Sequence, residues 1–218
     1  MKPEFAKAVD PVFIRVLGLL ERIDSGENPP VDDERVRIRG LLDQAEAMLG
    51  HGQEWQLAKY ALVAWIDEVL IDAAWDGRDA WNENALEREI FGDRVAFDQF
   101  YIKAKEASAL TRKDALEVYY IAAVLGFRGI YRDSVRHASE ISDLALPADL
   151  EAWAKQTSVA IQLGQGRPRI GDNSRPGEGA PPLESKSLMV SYLLIGVILL
   201  AVNSIILSVV LMRTVWAS

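Results

Sequence analysis

The stretch from Leu188 to Met212 constrains this chain more than any other. It runs LMVSYLLIGVILLAVNSIILSVVLM, twenty-five residues without one charge. As a helix rising about 1.5 Å per residue it would reach roughly 37 Å, enough to cross a hydrocarbon core of about 30 Å with some tilt. Lys186 precedes it and Arg213 follows, and six residues complete the chain. The expected arrangement is a C-terminal membrane anchor at 188–212 with a short periplasmic tail at 213–218. Everything N-terminal then lies on one side. Arg169, Arg175 and Lys186 stand before the anchor against Arg213 after it, so the positive-inside rule places the large N-terminal part in the cytoplasm.

That part, residues 1–163, is long enough for one domain with its own core. It carries nineteen basic and twenty-nine acidic residues. Such an acidic balance argues against nucleic-acid binding, which rests on neutralising phosphates, and against lying on anionic lipid. The chain has no cysteine, which excludes disulfides and thiol chemistry and fits a cytoplasmic domain. No apolar run follows the lysines of MKPEFAKAVD, so the start does not read as a signal peptide. Residues 164–187, rich in Gly, Pro and Ser, read as a flexible linker with a reach on the order of 25–30 Å.

The domain reads as helical throughout, with no strict period-2 alternation. A first helix includes Asp10 to Ile23, with Asp10 as N-cap and Pro11 at the first position, or Pro11 kinking a longer helix from near Pro3. Asp32 caps a second helix to Leu49, with Val36, Leu41, Leu42, Ala45 and Leu49 inward. A third runs from Glu54 to Trp75 with Leu62, Trp65, Ile66, Val69 and Ala73 as its apolar stripe. A polar loop, 76–84, holds Trp81. Short helices follow at 85–90 and, with Phe97, Phe100 and Tyr101 inward, at 94–107. Residues 113–125 form the next, ended by Gly126 and Gly129. Residues 131–142 are helical in part. The last soluble helix opens at Pro147 and runs to Leu163, with Leu150, Trp153, Val159 and Ile161 available for packing.

Chemistry-bearing patterns are sparse. His51 and His137 are far apart and neither sits at metal-ligand spacing; no serine elbow, P-loop or GxGxxG occurs. No catalytic residue, metal or cofactor is expected. The informative polar feature is the acidic row Glu68, Asp72 and Asp76, with Asp67 beside it. Like charges one turn apart repel, so such a row faces either water or a basic partner. Trp55, Tyr60, Trp65, Trp75 and Trp81 concentrate in one region, read first as core and otherwise as a partner site. In the apolar run, Ala201, Ser204 and Ser208 share one small-residue face with Asn203 adjoining. That face either packs against another helix or lies in lipid with its serines bonded back to their own helix.

The runs YALVAWIDEVLIDAAWDGRDAW (Tyr60–Trp81), LEREIFG (Leu86–Gly92) and DALEVYYIAAVLGFRGIYRD (Asp114–Asp133), in that order, resemble the DotU/IcmH family of bacterial secretion systems. The resemblance implies an all-α cytoplasmic domain of about seven or eight helices, two small bundles forming a hook with a cleft, and a single inner-membrane anchor without catalysis. It implies a TssM/IcmF-like inner-membrane partner, TssK- and TssE-like baseplate proteins and self-association, in a type VI or alternatively a type IVB system. The family's Asp-Glu pair on the cleft helix falls on Asp67 and Glu68, with Asp72 and Asp76 extending the acidic surface. Its other motif positions fall on Trp81, Leu86, Glu87, Phe91 and Gly92, and on Leu116, Glu117, Tyr119, Tyr120, Gly126, Phe127, Arg128, Gly129 and Tyr131. The reading of these is structural, a helix end and its cap, with Arg128 answering Glu117. Some relatives carry a peptidoglycan-binding domain beyond the anchor; with six residues there, this chain is expected to leave that task to a partner.

Overall fold

Helix α3 (Gln53–Asp72) is apolar on nearly every side, and the rest of the domain is laid around it. The structure, a computed structural model, describes residues 1–164. The other elements are α1 (Pro3–Asp24), α2 (Val31–Leu49), α4 (Arg78–Glu83), α5 (Leu86–Phe91), α6 (Ala96–Ala109), α7 (Asp114–Val124), a 3₁₀ turn (Gly129–Asp133), α8 (Ala138–Asp143) and α9 (Leu150–Gly164). No strand occurs among the described residues. Helix α3 touches α1, α2, α4, α5, α6 and α7, and one apolar cluster runs from Phe5 to Ile161. An all-round apolar helix can only be a buried one, which is why α3 is the centre.

Several expected details are corrected. Helix α1 is continuous across Pro11, and the proline at its first position is Pro3, so Asp10 is no cap. Pro11 lies on the exposed face, where water can take up the carbonyl it leaves unbonded. On α2 the inward set is Glu34, Ile38, Leu42 and Ala45, while Val36 points out at 71% exposure. A carboxylate at a core position shifts the phase of a stripe read from apolar residues alone. The polar loop around Trp81 is helix α4, with Trp81 inside it fully buried. Phe97 on α6, whose ring meets that of His137 edge-on (4.9 Å), and Val159 on α9 are exposed rather than buried.

Glu34 is the clamp between α1 and α2. It is fully buried and receives Arg15, Arg22 (3.1 Å) and Arg37 (3.0 Å). Burial pushes its carboxyl up, but the hydrogen bond and charge of Arg15, helped by Arg22 and Arg37, bring it below the usual range. Removing one member of a buried ion pair costs roughly 3–5 kcal/mol, less where the partners reach water as these arginines do. Glu34→Ala is therefore expected to cost about 2–3 kcal/mol and to lower the melting temperature by roughly 5–10 °C, read by circular dichroism. An unchanged melt would refute the clamp.

The two ends of α7 are held by different parts of the chain. At its start, the Lys2 backbone N–H donates to Asp114 (2.7 Å) and the N-terminal ammonium meets Glu117. There too α9 ends, with Gly164 so close to Lys113 that an added Cβ would lie 2.3 Å from its side chain. At its far end α7 runs into Gly126–Gly129.

No helix among the described residues is long and apolar enough to cross a membrane. The apolar run 188–212, with Ala201, Asn203, Ser204 and Ser208, and the linker from residue 165 onward lie outside the described residues.

Candidate docking site

The site grows from the last two turns of α3, where the acidic residues separate into buried and open ones. Asp67 is 6% exposed and accepts three hydrogen bonds: Trp81 Nε1 (2.9 Å), Leu86 N (2.9 Å) and Glu87 N (2.8 Å). Two of these donors are the first N–H groups of α5, whose N-cap Ala85 has no side-chain acceptor. A helix leaves its first N–H groups orphaned, and Asp67 caps α5 from another helix. Burial pushes its carboxyl up, opposed by the N–H groups of Glu87 and Leu86. Asp67 is thus not part of an open acidic surface, as the sequence suggested; it is an internal cap that ties Trp81, Leu86 and Glu87 together.

Glu87 repeats the device one layer on. It is buried, and accepts from the Tyr60 hydroxyl (2.9 Å) and Val95 N (3.0 Å). Burial pushes its carboxyl up, and the Asp67 charge adds to this. The same burial and the Glu87 charge hold the Tyr60 phenol far above its ordinary range.

Glu68 faces the other way, onto the turn after α7. It accepts from Arg128 N (2.8 Å), Gly129 N (3.1 Å) and the Arg132 guanidinium (2.7 Å). Arg132 also reaches Asp72 at 2.5 Å. The basic partner that the acidic row requires is therefore supplied within the chain, over a separation of some sixty residues. Gly129 is obligatory here. Its φ is +49°, and a Cβ would stand 2.6 Å from the Phe97 carbonyl oxygen. Arg128 does not answer Glu117: its guanidinium donates to the Ala123 (3.0 Å) and Phe127 (3.2 Å) carbonyls and closes α7, while Glu117 meets the N-terminus.

The row also stops earlier than expected. Helix α3 ends at Asp72, because Ala73 turns extended (φ −63°, ψ 145°). Asp76 lies beyond it, bound to Asn28 through both the Asn28 amide (2.8 Å) and its own N–H (3.2 Å). What remains open is a groove of about 450 Å³ lined among others by Ile71, Asp72, Arg94, Phe97, Phe127 and Arg132. Phe97 stands 42% exposed on its rim. An apolar wall beside opposed charges is suited to docking a protein surface; nothing in it aligns a nucleophile with a base.

Most other motif positions are core. Leu116, Tyr119, Phe127 and Tyr131 are buried, Tyr120 half-buried, and the Tyr131 hydroxyl donates to the Pro147 carbonyl (2.7 Å). Phe91 is half-buried against Tyr60 (5.0 Å between rings), and Gly92 closes α5 in the left-handed region. Trp55, Tyr60, Trp65, Trp75 and Trp81 are all buried, which decides for core over partner contact. His51 lies near Glu46 (2.6 Å) and His137 near Glu140 (2.9 Å), and no group of three or more metal-ligating side chains gathers among the described residues. Sequence reasoning missed Arg132 and Asn28; it placed Tyr101 inward, where it is buried, but not its hydroxyl, which donates to the Arg128 carbonyl (2.7 Å). Only Arg132 had a local signal, as the cation of the Tyr131-Arg132-Asp133 run.

The family model described as type VI secretion system protein DotU matches residues 6–213. Comparison with curated protein sequences gives no match. Among solved structures, the cytoplasmic domain of TssL from Acinetobacter baumannii is similar in fold, with a TM-score of 0.58 and 22% identity, covering 73% of this chain and 98% of that one.

Proposed function

The chain belongs to the DotU family of type VI secretion system proteins, and from that premise we propose that it is a non-enzymatic scaffold subunit of the trans-envelope secretion complex. In this reading residues 188–212 anchor it in the bacterial inner membrane, the helical domain stands in the cytoplasm, and the groove beside α3 recruits the baseplate. The family match carries the reading, since it extends over the apolar run as well as the domain. A type VI role is favoured over the type IVB alternative by the description of the family matched. The two-bundle hook is part of this reading, with α3, which touches α1, α2, α6 and α7, as the shared element. Linker 164–187 gives the domain reach, a TssM/IcmF-like protein is the membrane partner, and TssK- and TssE-like proteins are the cytoplasmic ones.

Asp72 is the exposed member of the row that lines the groove, with Asp67 and Glu68 holding that surface from beneath, while Asp76 is exposed beyond the end of α3 and paired with Asn28. Surface charge changes away from buried contacts cost little stability. The variant Asp72→Lys, which loses only an exposed ion pair with Arg132, is expected to keep its melting temperature within a few degrees and to lose at least tenfold in co-purification of TssK- and TssE-like proteins from its own cells. Retention of the TssM-like partner distinguishes lost docking from failed assembly. Undiminished recruitment and secretion would overturn the groove as the docking site.

A further inference from the structure

A cavity of about 150 Å³ lies between α6, α9 and the loop that precedes α9, apart from the docking groove. A space of that size takes a benzene-sized body. Small side chains leave it open, Ala104 on α6 and Ala160 on α9. Its apolar wall includes Tyr101 and Trp153, edge to face at 5.1 Å between rings, and Pro147, whose carbonyl the Tyr131 hydroxyl holds in place.

The polar groups of this cavity are uncommitted. The indole N–H groups of Trp55, Trp65, Trp75 and Trp81 all donate hydrogen bonds, whereas that of Trp153 has no partner among the described residues. The Thr157 hydroxyl has none either, although a helical threonine can bond back to its own helix. Both side chains are more than nine-tenths buried, Trp153 at 5% and Thr157 at 7% exposure, and both line the cavity. Neither polar atom is sealed within the protein. At the exposed side Lys105 makes no ion pair and Gln156 no hydrogen bond among the described residues. Native proteins rarely leave buried polar groups unmet. An indole and an ammonium can only donate, so what they lack is an acceptor. No carboxylate lines the cavity, in a chain that carries thirty-two acidic residues.

We propose that this cavity binds a small apolar monocarboxylate. The apolar body sits against Tyr101 and Trp153. The carboxylate accepts from the Trp153 N–H and the Thr157 hydroxyl, and Lys105 supplies the opposite charge. An apolar pocket with a few convergent polar groups is the usual form of a small-molecule site. Donors and a cation select an anion over an amine, and the volume selects a compact body over a long chain. Trp153, Thr157 and Lys105 do not line the docking groove, so the site does not depend on the function proposed above.

Benzoate is the probe. The full-length chain, carrying isotope-labelled tryptophan in detergent micelles, is titrated with it and followed through its indole N–H signals by NMR. Trp153→Phe identifies the Trp153 signal by its loss. That signal is expected to shift saturably with benzoate while those of the four bonded indoles stay in place. Benzamide, of the same shape without the charge, is expected to bind at least fivefold more weakly. Lys105→Met, an exposed change that removes no ion pair, is expected to weaken benzoate binding at least fivefold. Ala160→Leu, which fills the cavity, is expected to abolish the shift. No saturable shift, equal binding of benzamide and benzoate, unchanged affinity in Lys105→Met, or a shift that survives Ala160→Leu would each overturn the proposal. Baseplate recruitment does not enter this readout.

Discussion

Asp67→Ala is expected to unfold much of the domain rather than to disarm a binding surface. The substitution strips the acceptor from three buried donors at once: Trp81 Nε1 and the N–H groups of Leu86 and Glu87. A buried donor left unsatisfied costs about 1–3 kcal/mol, so the sum is on the order of 3–6 kcal/mol once some water entry is allowed. For a domain of this size that is a melting shift of 10 °C or more, against a total stability of roughly 5–15 kcal/mol. Asp67→Asn loses less, because one amide oxygen still accepts. Its pH dependence is diagnostic. Burial raises the Asp67 carboxyl above its ordinary 3.8. A raised carboxyl contributes stability that is full below the unfolded value and is lost as pH rises through the folded one. The stability gap between the unsubstituted chain and Asp67→Asn should therefore be wider at pH 4 than at pH 7 in urea titrations. A normal melt with lost recruitment would instead make Asp67 a contact residue and defeat the cap.

Glu68→Ala is the second large effect, and a local one. Its carboxylate fixes the N–H groups of Arg128 and Gly129 and the Arg132 guanidinium, all part-exposed. Water can replace much of this, so about 1.5–3 kcal/mol is lost, the range for hydrogen bonds to a charged group. The loss falls on the 3₁₀ turn and the wall of the groove. Amide exchange over 126–133 is expected to rise at least tenfold while α1 and α2 stay protected. Uniform deprotection across all helices would show a global role instead. Paired charge reversal at Asp67 and Glu68, the natural probe from sequence, would therefore mix unfolding with lost docking. Asp72→Lys separates them.

What was legible in the sequence was whatever depends on short range. Apolar spacing marked α1, α3, α6, α7 and α9, and the glycines at 92, 126 and 129 marked helix ends, because those signals are local. Trp81 misled because a six-residue helix has too few positions to show a period, so α4 read as a loop. Val36 misled because Glu34 occupies the core position that an apolar residue normally fills. The acidic row was noticed for the right reason, repulsion between neighbours, but its answer lay some sixty residues away in Arg132. No spacing rule reaches that far. Asp67 and Glu68 are adjacent and alike in chemistry, yet α3 turns one into the core and the other onto a turn; only the third dimension separates them.

The pinned ends of α7 bear on how the molecule can be handled. Eleven residues of helix are a strut of about 16 Å. At one end are the chain's first residues and its exit at Gly164; at the other is the turn clasped by Glu68. The groove, lined by Phe127, Gly129 and Arg132, lies at the end of α7 away from Gly164. A fluorescent protein joined ahead of Met1 would sit at the start of α7, away from the groove.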